Sequence, residues 1–408
     1  MIEGIRIVDL TTVVLGPYCT QILADLGADV VKIEGPDGDS TRYIGSAKNA
    51  GMCSIYLNLN RNKRSLALDL KRPESRDLVL KLAAGADVFM HSMRPRAIER
   101  LGLDEKAVRA VNSRLVYCVA TGYGAAGRYG GRPAYDDVIQ AMSGIAALQG
   151  KGGDPDYCVT VLADKVTGLC AVYGVLAALL RRARTGEGGS VEVPMFEAAA
   201  SFVLAEHIGG HAFDPPIGPA TYARVTTEYR RPYRTRDGFI SVIVYTERQW
   251  RSFLGLIGRP ELMQDKRVAS FEARTRNIDF LYKTIEDALA GRHTADWLAD
   301  FAELDVPAMP VLTTEDLFDE PHLDDAGFFE RQRHPTEGKL RLPRQPVRFD
   351  GAQRPDSRPA PRLGRDSVAV LREAGIAEGE IRRLVEQGVV IDGSPIDAPG
   401  IDAHAQLG

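Results

Sequence analysis

The chain has 408 residues, with 51 Lys and Arg against 55 Asp and Glu and a formal net charge of −4. This is the composition of an ordinary globular protein, so collagen-like and largely disordered classes are excluded, and the length predicts two or three domains. A net charge this small gives no reason to expect nucleic acid or an anionic membrane as the main partner.

The cysteines predict a reducing compartment, because their number is odd, their spacing is wide and no C-x-x-C pair occurs. They are Cys19, Cys53, Cys118, Cys158 and Cys170. The N-terminal segment has an acidic residue at position 3 and no apolar core, so no secretory signal peptide is expected. The longest charge-free apolar run, 166–180, is shorter than the about 20 residues that span a bilayer. We therefore expect a cytoplasmic protein without a membrane partner.

Strand-like and helix-like segments alternate through the first third of the chain. Short apolar or alternating runs predict strands at 5–10, 30–33, 65–70, 86–90 and 115–120. Helical spacing predicts helices at 18–27, 73–85 and 96–112. This alternation predicts an α/β fold with parallel βαβ units and a buried sheet.

The middle of the chain continues this pattern and then ends it. Helices are predicted at 137–149 and 165–184, and the second is apolar nearly all round, so it is expected to be buried. A strand at 190–193 and a helix at 196–208 follow. The Gly- and Pro-rich segment 209–220 indicates a linker.

A smaller domain is predicted from about residue 231. It has a turn at 236–238, a strand at 239–245, helices at 250–257, 277–290 and 294–304, and a further strand at 306–312. The Pro- and Arg-rich stretch 341–364 is expected to be extended, with two last helices at 367–374 and 378–387 and a frayed end at 391–408.

A glycine loop at 122–127 matches G-x-G-x-x-G after a predicted strand. A dinucleotide site also needs a helix that starts on this loop, whose N-terminal amides face the pyrophosphate. Residues 128–133 contain two glycines and a proline and do not enter a helix. This disfavours an NAD-dependent oxidoreductase and favours a loop that borders a site.

His207 and His211 are four residues apart and are the best candidates for metal ligands. Two glycines separate them and no third ligand is evident, so no metal site is predicted. The sequence contains no G-x-S-x-G and no Walker A motif, so neither acyl-serine nor P-loop chemistry is supported.

Asp164 lies directly before the apolar helix predicted at 165–184. Position alone favours a helix N-cap, because a carboxylate there accepts hydrogen bonds from free amides. A carboxylate at a helix start, facing a glycine loop in apolar surroundings, is also a positioned nucleophile. Both interpretations hold at this point, and the pair Asp136 and Asp137 has the same ambiguity.

Basic residues follow several predicted strands, where ligands gather in a parallel α/β sheet. Each alone is more commonly a solvated surface charge, but together they indicate a polyphosphate ligand, which arginine binds bidentately. They are Arg42, Lys63, Arg64, Lys71, Arg94, Arg96 and Arg100.

The sequence resembles the class III CoA-transferases, the family of formyl-CoA and carnitine CoA-transferases. The order and spacing of several stretches carry the resemblance, and they cover most of the first 200 residues. They are 10–34, 62–69, 121–123, 135–144, 163–168 and 185–193, with 361–364 and the last helices in addition.

The resemblance implies an architecture and a homodimer. One Rossmann-like domain is formed by the N- and C-terminal parts of the chain, a smaller α+β domain is inserted through two linkers, and two chains interlock. Mapped onto this sequence, the large domain comprises 1–208 and 365–408, the linkers 209–230 and 326–364, and the small domain 231–325.

The resemblance also implies a reaction: CoA moves from an acyl-CoA donor to a small carboxylic acid through covalent intermediates on Asp164. No permanently bound cofactor is expected, and amides of the loop 122–127 or after Met142 are expected to stabilise oxyanions. Gly35 stands where a basic residue is common, so Arg42 or Arg94 is expected to bind a CoA phosphate. The implied CoA-binding residues are Val14, Leu15, Arg42, Leu68, Lys71, Ser92, Met93, Arg94, Arg100 and Tyr135.

Two departures bear on the substrate and the reaction. Pro215 and Pro216 stand where formyl-CoA transferases have a glycine run, so the formyl and oxalyl substrates are not implied. Related acyl-CoA racemases have a histidine where this chain has Tyr135. An acyl-CoA racemase or epimerase and a catalytically silent CoA-binding protein are therefore the remaining alternatives.

Overall fold

The computed structural model describes residues 1–350 and 357–394. The chain divides into two compact units. The larger contains Met1–Ala146, Tyr157–Phe202 and the described part of Gly327–Gly408. The smaller contains Ala147–Asp156 and Val203–Ala326.

A seven-stranded sheet forms the centre of the larger unit. Its strand order is β12-β3-β2-β1-β4-β5-β6, and all neighbours are parallel except β12 and β3. This confirms the α/β fold with a parallel sheet, and the order 3-2-1-4-5-6 is that of a Rossmann fold. The strands are β1 (Arg6–Leu10), β2 (Asp29–Glu34), β3 (Lys63–Leu68), β4 (Val88–His91), β5 (Val116–Thr121), β6 (Gly189–Pro194) and β12 (Val390–Ile391).

Helices connect and cover these strands, and the core between sheet and helices contains Val8, Leu66, Phe89 and Leu371. In chain order, the helices up to residue 207 are α1 (Leu15–Asp25), α2 (Ser54–Leu59), α3 (Pro73–Ala84), α4 (Pro95–Arg100), α5 (Glu105–Val111), α6 (Asp136–Met142), α7 (Ile145–Gln149), α8 (Leu162–Thr185) and α9 (Met195–His207). The last two are α16 (Ser367–Glu373) and α17 (Glu378–Glu386).

The smaller unit has its own core, built on Trp250, Phe253, Trp297 and Phe301. Its antiparallel sheet consists of β7 (Tyr233–Arg234), β8 (Phe239–Val242) and β9 (Ala308–Pro310). Its helices are α10 (Ala223–Thr226), α11 (Glu247–Leu256), α12 (Phe271–Arg276), α13 (Ile278–Leu289), α14 (Thr294–Glu303) and α15 (Pro321–Asp325). Residues 209–230, expected as a linker, lie in this unit and contain α10.

Three segments differ from the sequence prediction. The helix predicted at 137–149 is divided into α6 and α7, because Gly144 between them has φ of +87°. The stretch that begins at 341 is not extended throughout, since β10 (Phe329–His334) and β11 (Gly338–Pro343) form a hairpin. Helix α2 was not predicted. Of the frayed end expected at 391–408, residues 395–408 lie outside the described part.

Helix α8 carries Asp164 in its first turn and packs against α1. The two helices approach closely at Gly168, where an added Cβ would lie 2.8 Å from the carbonyl oxygen of Leu15. The prediction that α8 is buried on all sides is wrong for the single chain, because Tyr173 and Leu180 are exposed on it. Among the described helices, only α8 has the length and composition to cross a membrane, a test that core helices also pass.

The contact at Gly168 predicts a stability effect. We expect Gly168→Ala to destabilise the larger unit by about 1–3 kcal/mol, because the new methyl group meets backbone that cannot rotate away. Gly379→Ala is the matched control: Gly379 lies in α17 and nothing lies within 4 Å of its added Cβ. The control should be neutral or stabilising by up to about 1 kcal/mol. Urea unfolding measures both, and equal effects would contradict the proposed close packing.

Candidate active site

A cavity of about 290 Å³ lies at the carboxyl ends of β1, β4, β5 and β6. The strand order reverses between β1 and β4, and ligands bind at this point of an open α/β sheet. The lining residues come from the loops after these strands and from α8. They are Thr12, Val13, Leu15, Ser92, Met93, Arg94, Pro95, Ala120, Thr121, Gly122, Tyr123, Gly131, Pro133, Ala134, Tyr135, Asp164 and Met195.

Asp164 lines this cavity from the first turn of α8 and is 9% exposed. It is not the N-cap that its position in the sequence favoured, because Val161 occupies that place and the helix begins at Leu162. The carboxylate therefore does not cap the helix amides. Helix α1, packed against α8 at Gly168, fixes the direction in which the first turn of α8 faces the cavity.

The electrostatics of Asp164 favour a protonated or strongly basic carboxyl group. Burial raises the pKa of Asp164 to about 7, and the charges of Asp136 and Asp137 raise it further in the same direction. No hydrogen bond from a described residue is among the causes that set this pKa. A carboxylate that is half ionised near neutral pH and desolvated is suited to act as a nucleophile or a general base.

Asp136 holds Asp164 in place through the backbone. Its Oδ1 accepts the amide hydrogen of Asp164 at 2.9 Å, and its Oδ2 accepts from Nε2 of Gln140 at 2.5 Å. Oε1 of Gln140 in turn accepts from the amide of Cys158 at 2.9 Å. The two side chains of α6 thereby fasten the segment that leads into α8, and they bring a second carboxylate close to Asp164.

The loop after β1 is held in an unfavourable conformation at the cavity. Val13 has φ of +69°, which a β-branched residue rarely adopts. Its amide donates to both carboxylate oxygens of Asp39 at 3.2 Å, and Asp39 forms a buried ion pair of 2.9 Å with Lys32. Lys32 also donates to the carbonyl oxygen of Thr11 at 2.8 Å. Strain that surrounding contacts maintain is typical of functional sites.

The structure brings together six of the eleven residues predicted for the site: Leu15, Ser92, Met93, Arg94, Tyr135 and Asp164 line the cavity. Val14, between two lining residues, is half-buried. Lys71 and Arg100 are exposed and do not line the cavity.

Arg42 and Leu68 are placed elsewhere, and their predicted roles are corrected. The Arg42 guanidinium is buried, donates to both carboxylate oxygens of Glu34 at 2.8 and 2.7 Å, and stacks on Tyr56 with 3.8 Å to the ring centre. This guanidinium is committed to a structural ion pair and is not available to a phosphate. Leu68 is fully buried in the core of the larger unit.

The glycine loop contributes shape more than free amides. An added Cβ on Gly122 would lie 2.3 Å from the Cβ of Ala134, so only glycine fits there. The amide of Gly124 donates to Glu197 at 3.0 Å and that of Ala125 to Glu192 at 2.7 Å. These two amides are therefore already bonded, against the expectation that this loop provides oxyanion donors.

Nothing in the described part of the chain holds a metal: it contains no group of three or more His, Cys, Asp or Glu side chains with suitable placement. His207 is buried, and its Nδ1 accepts from the amide of Tyr222 at 3.3 Å. All five cysteines are free.

Sequence reasoning missed several residues of the cavity wall, among them Val13, Tyr123 and Met195. Each directly follows a strand end or a predicted site residue, so the rule that ligands bind at the carboxyl ends of parallel strands indicates them. No sequence signal indicates the positive φ of Val13, because valine is a residue that disfavours it.

Comparison with known proteins agrees with this geometry. Residues 2–367 match CoA-transferase family III. The succinyl-CoA:glutarate CoA-transferase of Mus musculus is 32% identical over 95% of this chain and 90% of its own. The acetyl-CoA:oxalate CoA-transferase of Acetobacter aceti is 32% identical over 93% and 97%. The crystal structure of a CaiB/BaiF family protein from Brucella suis has a TM-score of 0.78 and 30% identity, covering 91% of this chain and 98% of that one.

The paired carboxylates predict a shift in the pKa of Asp164. We expect Asp136→Asn to lower it, because the substitution removes a negative charge and keeps an oxygen that accepts the Asp164 amide. Asp137→Asn is the matched control, and its effect should be smaller because Asp137 is exposed and water screens its charge. Carbon-13 NMR of labelled aspartate, assigned with Asp164→Ala, measures the titration. An unchanged pKa in Asp136→Asn would contradict the pairing.

Proposed function

Because this chain belongs to CoA-transferase family III and is a CoA-transferase, we propose that it moves CoA from an acyl-CoA to a carboxylic acid through covalent intermediates on Asp164. The observation that carries the proposal is a buried carboxylate, with a pKa of about 7, that faces a cavity at the carboxyl edge of the sheet. The family sets aside the oxidoreductase alternative.

The proposed reaction begins when an Asp164 carboxylate oxygen attacks the thioester carbonyl of the donor. The carbon–sulfur bond breaks, CoA leaves as the thiolate, and an acyl-aspartyl anhydride remains. The thiolate then attacks the aspartyl carbonyl, the donor acid leaves as a carboxylate, and Asp164 carries CoA as a thioester. The acceptor carboxylate reverses both steps and leaves as its CoA thioester. Each step keeps one activated carbonyl, so no external energy source is needed.

The lining of the cavity supports this chemistry because both intermediates are destroyed by water. Apolar and aromatic side chains of Val13, Leu15, Tyr123 and Met195 surround Asp164. Leu15, Tyr123 and Met195 are themselves buried. Such a lining excludes water from the anhydride and thioester carbonyls and preserves the nucleophilicity of a desolvated carboxylate. The steps use only the carboxylate and the thiolate, so the proposal includes no resident cofactor.

The size of the cavity indicates how CoA is placed. A space of about 290 Å³ holds the thioester and its acyl group, whereas the much larger nucleotide end of CoA extends beyond it. Residues 92–94 form the wall that the pantetheine arm contacts in this proposal. Lys71 and Arg100, exposed outside the cavity, are the proposed partners of the phosphates.

Exposed apolar side chains support a homodimer. Tyr173 is 65% and Leu180 63% exposed on α8, and Phe202 is 53% exposed on α9. Large apolar residues on a helix face of this kind are typical of an interface. We therefore propose that two chains associate through α8 and α9 in the interlocked manner that the resemblance implies. The free cysteines support a cytoplasmic location.

The names of the relatives include succinyl-CoA, acetyl-CoA, glutarate and oxalate as substrates. These share one chemistry, a carboxylic acid exchanged against an acyl-CoA, and we propose that class for this chain.

Removal of the nucleophile separates activity from stability. We expect Asp164→Ala to reduce CoA exchange at least about 10³-fold. The folded-state pKa of about 7 lies above the ordinary 3.8, so ionised Asp164 lowers stability as pH rises from 4 to 7. At pH 8 the variant should therefore be as stable as the parent or more stable, by at most about 4 kcal/mol. Activity assays and thermal unfolding at pH 5 and pH 8 test this. A folded variant with substantial activity would refute the nucleophile.

Ligand binding tests the proposed phosphate partner. We expect CoA, but not NAD, to raise the melting temperature by mass action. Arg100→Ala should weaken the shift from CoA and leave the shift from 3′-dephospho-CoA unchanged, because that ligand lacks the phosphate. Arg6→Ala is the matched control, since Arg6 is exposed at the amino end of β1, on the opposite edge of the sheet. Equal weakening for both ligands would show that Arg100 does not bind the 3′-phosphate.

A further inference from the structure

His91 is a buried histidine at the carboxyl end of β4, and no step of the proposed reaction uses it. It is 1% exposed and directly precedes the wall segment 92–94. Its Nδ1 accepts the amide hydrogen of Met93 at 3.1 Å, and its Nε2 lies 2.9 Å from the hydroxyl of Tyr117. The hydroxyl of Tyr117 donates to the carbonyl oxygen of Leu103 at 3.0 Å.

These contacts fix the tautomer of the imidazole. Tyr117 has one hydroxyl proton and gives it to Leu103, so its oxygen must accept from His91 Nε2–H. Nδ1 must then lack a proton, which is what acceptance of the Met93 amide requires. Burial lowers the pKa of His91 to about 4, so the ring is neutral at pH 7. The imidazole is held further by edge contact with Tyr117, with 5.3 Å between ring centres.

Two ends of the cavity wall thereby depend on His91. The bond to Met93 turns the backbone directly after the strand, and Met93 itself lines the cavity. The neighbouring Ser92 accepts the amide of Thr12 through Oγ at 3.4 Å, which connects this wall to the loop after β1. Tyr117 anchors the far side of the ring to β5 and to the residue after α4.

We propose that His91 is a positioning residue for the CoA thioester: its unprotonated Nδ1 holds residues 92–94 in the shape that receives the pantetheine arm, before the ligand arrives. This inference rests on the proposed function. His91 touches no reacting atom and acts through the Met93 amide. A loop fixed in its binding conformation loses less conformational entropy when the ligand binds, and this improves affinity more than turnover.

Two contacts of His91 can be separated by substitution. His91→Asn retains an acceptor for the amide two residues on, as in an Asx-turn, but does not reach Tyr117. Tyr117→Phe removes the hydroxyl and leaves the bond to Met93. His91→Leu removes both contacts. All three variants should lower the melting temperature, since each removes a buried hydrogen bond.

Only the loss of the Met93 contact should affect CoA. For His91→Leu we expect about a tenfold increase in the Kd for CoA and in KM for acyl-CoA, with kcat changed less than about threefold. His91→Asn and Tyr117→Phe should stay within about twofold of the parent. Calorimetric titration with CoA gives Kd, and steady-state kinetics gives the other constants.

If His91→Leu binds CoA as tightly as Tyr117→Phe does, the inference is overturned and the proposed function stands. If the parent chain binds no CoA at all, the proposed function fails and this inference fails with it. Hydrogen exchange on the parent chain covers the case in which His91→Leu does not fold. The Met93 amide should be protected, and exchange at the rate of a free amide would overturn the inference.

Discussion

The burial of the Asp164 carboxyl group is the constraint on which this site depends. A carboxylate with little water around it and a second carboxylate nearby is unfavourable when ionised, and its raised pKa expresses that cost. The larger unit maintains it through the close contact of α8 with α1 at Gly168 and through the bond from Asp136 to the Asp164 amide. The same desolvation that lowers stability at neutral pH makes the group a nucleophile.

The walls of the cavity are held by buried polar contacts that do not take part in the chemistry. Lys32 and Asp39 hold the loop after β1, where Val13 is strained, and His91 holds the loop after β4. Both loops leave the sheet at the point where the strand order reverses. A Rossmann-type sheet therefore provides the place of the site, and paired polar groups beneath the loops provide its shape.

The sequence allowed the parallel α/β fold and most helices to be predicted, because apolar runs and helical spacing are strong in the first 200 residues. Asp164 was identifiable from its place before an apolar helix and from the family resemblance, although the N-cap geometry was not correct. The prediction for Arg42 failed because nothing in its local sequence shows that Glu34, eight residues earlier, binds the guanidinium inside the protein. The positive φ of Val13 and the tautomer of His91 depend on tertiary contacts, so no local pattern encodes them.

The exposed face of α8 illustrates the same limit. Its apolar sequence predicted burial on every side, yet Tyr173 and Leu180 remain exposed in the single chain. Sequence patterns report how much apolar surface needs cover, and they do not say whether the cover comes from the same chain or another. A homodimer resolves this difference without a change in the interpretation of the pattern.

The most direct test of the account is to trap the covalent intermediate. The chain is incubated with an acyl-CoA and hydroxylamine, digested and analysed by peptide mass spectrometry, with Asp164→Asn and a sample without acyl-CoA as controls. Both an acyl-aspartyl anhydride and an aspartyl-CoA thioester react with hydroxylamine, so the account predicts a hydroxamate at Asp164 only in the parent chain with acyl-CoA. An unmodified Asp164 in a sample that still exchanges CoA between acids would contradict covalent catalysis by this residue.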